Sequence, residues 1–227
     1  MHPVEFTNER NTLLAAERGT DATGVAIQPN ELRLCGRRTL LRPVGSGDTK
    51  FLYELNLDPR ILHRWRYLNR LPDQETYARQ LWDDVLSQFI VESLSSETPI
   101  GQVVAYRPRL FHGTAYVGVI IRPDLERQGW PLEAAALFVD YLFKAFPLRK
   151  LYSEITDYNY LGTFSTGWGR FFREEARLKE HSYYDGRHWD LVVLSLRRDD
   201  WASVSAKFFA RIDRRAEQSS PRRTDGS

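Results

Sequence analysis

The sequence is poor in three features that would direct a protein to particular environments: cysteine, long apolar runs and net charge. Its 227 residues contain one cysteine, Cys35, which excludes an internal disulfide and a zinc site built on several cysteines. No stretch approaches the roughly 20 apolar residues of a membrane helix. The first residues show no basic segment followed by an apolar one. We therefore expect a cytoplasmic protein with no membrane partner.

The charge is nearly balanced, with 32 Lys and Arg against 30 Asp and Glu and a formal net charge of +2. Such a balance does not call for nucleic acid or an anionic surface as partner. Hydrophobic residues make up 42% of the chain and aromatic residues 13%, which is enough to fill a core. We expect one globular domain, with a polar N-terminal extension at 1–30 and a disordered tail at 219–227.

Helix and strand patterns alternate from residue 31 onward. A first strand ends at Pro43, a helix follows Asp48 as its N-cap, and a second helix follows Asp73. Three segments of β type come next and predict an antiparallel meander. They are "QFIVESL", "IGQVVAYRP" and "TAYVGVIIRP".

The second half of the chain begins with a helix after Pro123, whose apolar residues form one stripe. A short strand "KLYSEI", a weak glycine-interrupted helix at 159–172 and two strands around "YDGR" follow. A helix at 199–218 ends the pattern. The pattern predicts an α/β fold with a central mixed, mostly antiparallel sheet of about seven strands, flanked by helices, and an extra C-terminal helix.

Several phrases, in this order of elements, resemble the GNAT family of N-acetyltransferases, and within it the branch of the ribosomal-protein N-terminal acetyltransferases. They are "LLRPV", "LNLDP", "PIGQVVAY", "AYVGVIIRPDLERQGW", "DYLFKAFPLRKLYSEI" and "EARLKEHSYYDGRHWDLVVLSLRRDDW". The resemblance implies a GNAT acyltransferase domain at 31–198. It further implies acetyl-coenzyme A or another acyl-coenzyme A as co-substrate, an amine acceptor that is a small molecule or a peptide, and no metal.

The donor loop departs from the family's signature. The three signature positions fall on Glu126, Gly129 and Pro131, so only the glycine is kept. A carboxylate repels a diphosphate, and proline has no N–H to offer a phosphate at the helix start. The resemblance still assigns contacts with coenzyme A to one set of residues. These are Ile120, Ile121, Arg127, Gln128, Gly129, Trp130, Leu132 and Asn159.

Three hypotheses about the donor stay open. The loop binds coenzyme A with altered contacts, since one hydrogen bond contributes only about 0.5 to 1.5 kcal/mol net. Alternatively, the acyl or aminoacyl group arrives on an acyl-carrier protein or a charged tRNA. In the third hypothesis the domain has lost catalysis and serves as a binding module. The C-terminal helix could pack on its own domain or on a second copy, so a homodimer also stays open.

The resemblance places catalytic side chains at four positions. Tyr116 occupies the place of the family's strand glutamate, and Asn159 matches the asparagine that touches the pantetheine arm or a catalytic water. Counting on from Asn159 leads to Thr166, with Ser165 beside it, where the family has an acidic tyrosine. A hydroxyl of this kind is far less acidic than a phenol, so it would orient a water better than it would donate a proton.

The histidines are the side chains able to act as a base near neutral pH. No two of them have metal-ligand spacing on a helix, so we expect no zinc. His112 falls in a turn and is expected to be solvated. His63 lies between the first two helices, a region that caps the acceptor site in the family, and is the histidine we assign to catalysis.

Overall fold

The computed structural model describes residues 32–125, 130–160 and 171–217, without the side chains of 211–217. The chain divides into two units, 1–33 and 34–227, and the second contains every strand and helix named below. The strands are β1 (Leu34–Cys35), β2 (Thr39–Pro43), β3 (Val85–Ser93), β4 (Thr98–Arg109), β5 (Thr114–Ile121), β6 (Lys150–Thr156), β7 (Arg173–Tyr184) and β8 (Arg187–Arg197). The helices are α1 (Thr49–Asn56), α2 (Pro59–Leu62), α3 (Gln74–Gln80), α4 (Trp130–Ala145) and α5 (Arg198–Glu217).

The strands form one sheet in the order β1-β2-β3-β4-β5-β6-β8-β7. Only β5 and β6 run parallel, and each other described pair of neighbours is antiparallel. The predicted mixed, mostly antiparallel sheet is confirmed. It has eight strands instead of about seven, because a turn at Gly36 breaks the first predicted strand into β1 and β2. The Gly36 N–H donates to the Thr39 carbonyl at 2.8 Å and closes that turn.

The helices α4 and α5 cover one face of the sheet. The apolar stripe predicted for α4 is buried against the strands, with Ala134, Phe138 and Leu142 almost inaccessible to solvent. Trp201 and Phe208 of α5 belong to the same core, and the Trp201 Nε1 donates to the Asp140 carboxylate at 3.3 Å. The C-terminal helix therefore docks on its own domain by its apolar face.

The opposite face is covered by α1 over β3 and β4. A chain of buried amides fixes α1 in place: Asn56 Nδ2 donates to Gln102 Oε1 at 3.2 Å, and Gln102 Nε2 donates to Gln88 Oε1 at 2.7 Å. Buried polar groups that bond one another hold a helix in one register, because any shift would leave them unpaired. This contact defines the α1 side of β4.

The predicted caps and turns have different outcomes. Asp73 accepts a hydrogen bond from Thr76 N at 2.7 Å and caps α3 as expected. Asp48 occupies the N-cap position of α1, but its carboxylate turns back to accept from Gly45 N and to pair with Arg42, both at 2.7 Å. The carboxylate of Asp48 thus bonds the Arg42 guanidinium of β2 instead of the helix amides, because a charge-assisted hydrogen bond is the stronger one.

The hairpin between β7 and β8 turns at Asp185 and Gly186, with φ of 52° and 76°. Two successive positive φ values match the right-handed twist of the strands, as "YDGR" predicts. Residues 157–160 are helical after β6, and the rest of the predicted weak helix, as far as 170, falls outside the described residues. No helix in the described ranges is long and apolar enough to cross a membrane.

Candidate active site

The strands β5 and β6 are paired over a short parallel ladder and then separate. The ladder consists of Thr114↔Lys150, Ala115↔Leu151 and Tyr116↔Tyr152, and in the described structure no further pair joins the two strands. Each strand continues, and each keeps its outer neighbour. The facing edges of 117–121 and 153–156 therefore offer backbone N–H and C=O groups to a ligand, as an open sheet edge does. We call this opening the wedge.

Trp65 covers the β5 wall of the wedge. A Cβ atom at Gly118 would lie 2.5 Å from Cη2 of its ring, so a side chain here would require the indole to move. The ring also packs with Ile61 and Ile120. The segment that follows α2 is thus seated directly on β5.

A cluster of rings joins α2 to the β7–β8 hairpin. His63 stacks on Tyr184, with 3.9 Å between centroids and 18° between planes, and lies 5.8 Å from Tyr158. Tyr158 lies 4.9 Å from Trp189 of β8. We call these four residues the aromatic cluster. It places a histidine beside the residues that leave the end of β6.

Three buried polar atoms in the segments bordering the wedge have no hydrogen-bond partner in the described structure: Trp65 Nε1, Asp157 Oδ1 and Tyr158 OH. The Tyr158 hydroxyl lies beside the Thr156 side chain without a well-formed hydrogen bond to it. An unpaired buried polar group costs roughly 1 to 3 kcal/mol, so such groups are rare in native proteins. Further atoms of this kind lie on Thr39, Asn56, Tyr67 and Tyr77, and the three named first are those that border the opening between β5 and β6.

The His63 ring is held in a state suited to accept a proton. Its Nδ1 lies 3.2 Å from the Pro59 carbonyl, which can only accept, so we assign the proton to Nδ1 and leave Nε2 as the acceptor. Burial lowers the pKa of His63 below its usual value, and the nearby Arg64 lowers it further against the opposing effect of the Pro59 carbonyl. The ring is neutral near pH 7.

Tyr116 stands in the last pair before the wedge. Burial raises the pKa of its phenol, and the charge of Glu154 adds to this effect. Tyr116 therefore keeps its proton and cannot serve as a base at neutral pH. A carboxylate lies near Tyr116 on the neighbouring strand, that of Glu154 of β6, and it pairs with Arg107 at 3.0 Å.

Glu154, Asp157 and Tyr158 were missed by the sequence reasoning. The alternation in "KLYSEI" places Tyr152 and Glu154 on one face of β6, but the register of β6 against β5 cannot be derived from it. The side chains of the segment 64–70 serve two different parts of the fold. Trp65 covers the β5 wall of the wedge. Arg66 instead donates to three carbonyls at the end of α3 and just after it, those of Gln80, Leu81 and Asp83.

The residues assigned to coenzyme A lie along the wedge and at the start of α4. The side chains of Ile120, Ile121 and Trp130 are buried in the apolar clusters, so only their backbone is left for a ligand. Leu132 is half-buried in the first turn of α4, and Asn159 is half-buried after β6. The backbone of the wedge fits an arm that carries amides. Arg127, Gln128, Gly129, Ser165 and Thr166 lie outside the described residues.

No three His, Cys, Asp or Glu side chains in the described ranges are grouped in a way that could hold a metal ion.

Residues 38–160 match the family model of the acetyltransferase (GNAT) domain. The chain belongs to the GNAT acetyltransferase family. It is an acyltransferase, and membership confirms the predicted fold and the predicted transfer of an acyl group from acyl-coenzyme A to an amine. A comparison with curated proteins finds no match.

Solved structures share the fold of this GNAT domain. The spermidine N-acetyltransferase from Vibrio cholerae in complex with CoA and spermine is 23% identical, with a TM-score of 0.64 over 73% of this chain and 98% of that chain. The spermidine/spermine N-acetyltransferase SpeG from the same organism, in complex with manganese ions, is 23% identical, with a TM-score of 0.61 over 73% and 96%. None of these findings supports the ribosomal-protein branch, which stays a prediction.

Proposed function

We propose that this GNAT domain holds acyl-coenzyme A in the wedge and acylates a small-molecule primary amine that approaches from the side of the aromatic cluster. The end of the β5–β6 ladder at Tyr116↔Tyr152 carries the proposal. It leaves two backbone edges between which the amides of a pantetheine arm can bond like an added strand.

The side chains around the wedge suit direct transfer. Acyl-coenzyme A supplies an activated thioester, whose acyl carbon forms a bond with the amine nitrogen as the thiolate leaves. His63 takes a proton from the amine, because it is neutral and its Nε2 is left as an acceptor. Burial raises the pKa of Tyr158, which keeps the proton that a departing thiolate needs. Asn159, Ser165 and Thr166 keep their proposed roles toward the arm and a water.

A polyamine is the first acceptor to test, because the Vibrio cholerae neighbour is in complex with spermine and CoA. A peptide N-terminus is the second, and the phrases similar to the ribosomal-protein branch support it. Acyl-carrier protein and charged tRNA stay alternative donors on the strength of Glu126 and Pro131. A homodimer, a cytoplasmic location and the limits of the domain at 31 and 198 are proposals of the same kind.

The test combines binding with turnover. We expect coenzyme A and acetyl-coenzyme A at millimolar concentration to raise the melting temperature, since a ligand that binds only the folded state stabilises it. Acetyl-coenzyme A should then acetylate at least one of spermidine, spermine and a ribosomal-protein N-terminal peptide. An unchanged melting temperature, together with consumption of loaded carrier protein or charged tRNA, would replace this proposal with the alternative donors.

A further inference from the structure

We infer that Trp65 restricts the donor to short acyl groups, such as acetyl, because its indole covers the narrow end of the wedge. The inference deepens the proposed function and rests on it, since the acyl group is the one that coenzyme A carries into the wedge. It assigns the choice of donor to a residue that lies outside both the sheet and the donor loop.

The wedge has one closed end. The last pair that joins β5 to β6 is Tyr116↔Tyr152, and beyond it the two strands separate. A pantetheine arm that bonds to these edges like an added strand extends away from the ladder. Its slender thioester fits the narrow end, whereas the bulky nucleotide needs the open one. The thioester therefore lies beside Gly118, two residues beyond the ladder on β5.

The two faces of β5 leave an acyl chain one direction in which to lengthen. Val117 and Ile121 belong to the apolar core shared with α4, so that side of the strand is filled. Side chains alternate along a strand, so Gly118 and Ile120 face the opposite side, where Ile120 packs with Ile61 of α2. The ladder closes the wedge behind the thioester. An acyl chain that starts beside Gly118 thus extends toward the α1 side.

Trp65 lies on that side. Its six-membered ring is so close to the backbone of Gly118 that a Cβ atom there would lie 2.5 Å from Cη2 and 2.7 Å from Cζ3. His63, two residues earlier, contacts Tyr158 just beyond β6, with 5.8 Å between ring centroids. The segment 63–65 therefore reaches from the β5 wall to the residues that follow β6. It crosses the wedge on its α1 side.

The segment that carries Trp65 is held in place by hydrogen bonds. The Arg66 guanidinium, next in the chain, donates to one carbonyl at 2.9 Å and to two at 3.0 Å, at the end of α3 and just after it. The Leu68 N–H donates to the Trp65 carbonyl at 3.0 Å. A ring on such a support does not yield to a longer chain without cost, since closely packed groups resist added methylenes.

The test compares acetyl-, butyryl- and hexanoyl-coenzyme A as donors to the best acceptor among spermidine, spermine and a ribosomal-protein N-terminal peptide. We expect the wild type to use butyryl-coenzyme A at least about a hundredfold less well in kcat/KM than acetyl-coenzyme A, since one methylene changes kcat/KM roughly 10- to 200-fold in a fitted pocket. Trp65→Ala should reduce this preference to about tenfold or less, and Trp65→Phe should give an intermediate value. Both donors are compared in the same variant, so a loss of folded protein cancels from the ratio.

Trp82→Ala is the matched control, because Trp82 carries the same indole and is 52% exposed after α3. It should keep the wild-type preference. If Trp65→Ala does not fold, the preference of Trp65→Phe decides.

Two results would overturn the inference while the proposed function stands. One is a wild type that uses hexanoyl-coenzyme A as well as acetyl-coenzyme A. The other is an unchanged preference in the Trp65 variants that fold, which would make the indole a structural support or a part of the acceptor site. A wild type that transfers an acyl group from none of the three donors would overturn both the inference and the proposed function.

Discussion

The two edges of β5 differ in how completely they are paired. Toward β4 the strand is paired without interruption from Tyr116↔Tyr106 to Ile121↔Gly101. Toward β6 the pairing ends at Tyr116↔Tyr152, and the rest of the strand borders the wedge. One strand thus serves the fold with one edge and leaves the other to a ligand. Departures from full hydrogen bonding tend to gather at functional sites, and here they identify the wedge.

Buried polar groups show the same contrast. On the β4 side, the amides of Asn56, Gln102 and Gln88 bond one another. Among these amides Asn56 Oδ1 is without a partner in the described structure, as are the Tyr67 and Tyr77 hydroxyls that pack near α1. Around the wedge, the polar atoms of Asp157 and Tyr158 that are buried find none. We expect changes on the β4 side to reduce stability, and changes on the wedge side to reduce activity.

The largest expected effect is that of His63→Gln on the wedge side. Loss of a positioned base lowers kcat/KM roughly a hundredfold. In the wild type, kcat/KM should fall as the pH drops, with a midpoint below the usual histidine pKa of about 6.5, because burial lowers the pKa of His63. The variant should lose that acid limb in a pH profile of acetyl transfer.

The free energy of unfolding that neutral His63 contributes should also fall as the pH drops. A depressed pKa gives stability that is present above the unfolded pKa and is lost as the pH falls through the folded one. His112→Gln is the control, because His112 is exposed in its turn as predicted. An acid limb that survives in the His63 variant would remove His63 from catalysis.

The next largest effects are expected from Gly101 of β4 and Gly118 of β5, two glycines on neighbouring strands. A side chain at Gly101 would strike the Ile120 carbonyl, part of the paired backbone, whereas one at Gly118 would meet only the ring of Trp65. We expect Gly101→Ala to lower the free energy of unfolding by about 2 kcal/mol in urea titration. Gly118→Ala should cost about half as much, since a ring can shift more easily than a ladder, and should impair acetyl transfer more strongly.

Gly47→Ala serves as the control for both glycines, because a Cβ at Gly47 meets nothing within 4 Å. Similar stability losses for Gly101→Ala and Gly118→Ala would show that the two edges of β5 are equally rigid. The difference in pairing between the two edges of β5 would then not be matched by a difference in stability.

Local signals explain what the sequence could predict. The cap at Asp73, the turn at Asp185 and Gly186, and the apolar stripe of α4 depend on neighbours along the chain, so their patterns are visible in it. The phrases that resemble the GNAT family predicted the fold of the sheet. Contacts between distant segments had no such signal: the stack of His63 on Tyr184 depends on the end of α2 meeting the end of β7. The fastening of Arg37 to Glu133 depends likewise on how a turn docks against a helix.

The smallest effect is the sharpest test of the contrast, because it deletes one polar group from each side. Gln102→Leu removes the donor to Gln88 and the acceptor of Asn56, and should lower the free energy of unfolding by about 1.5 kcal/mol. Tyr158→Phe removes a hydroxyl that is buried and has no partner among the described residues, so it should leave stability unchanged or raise it by up to about 1 kcal/mol. Urea titration measures both, and acetyl transfer by Tyr158→Phe should nevertheless fall.

The proposed difference between the two sides of β5 requires Gln102→Leu to lower the free energy of unfolding and Tyr158→Phe not to lower it. A hydroxyl retained at a cost in stability is explained if it serves the reaction, and Tyr158 meets that condition only if its loss slows acetyl transfer at saturating amine. If Tyr158→Phe destabilised the protein as much as Gln102→Leu, the hydroxyl would have a partner in the folded chain. The wedge side would then be as fully satisfied as the β4 side, and the argument that assigns it to the substrate would fail.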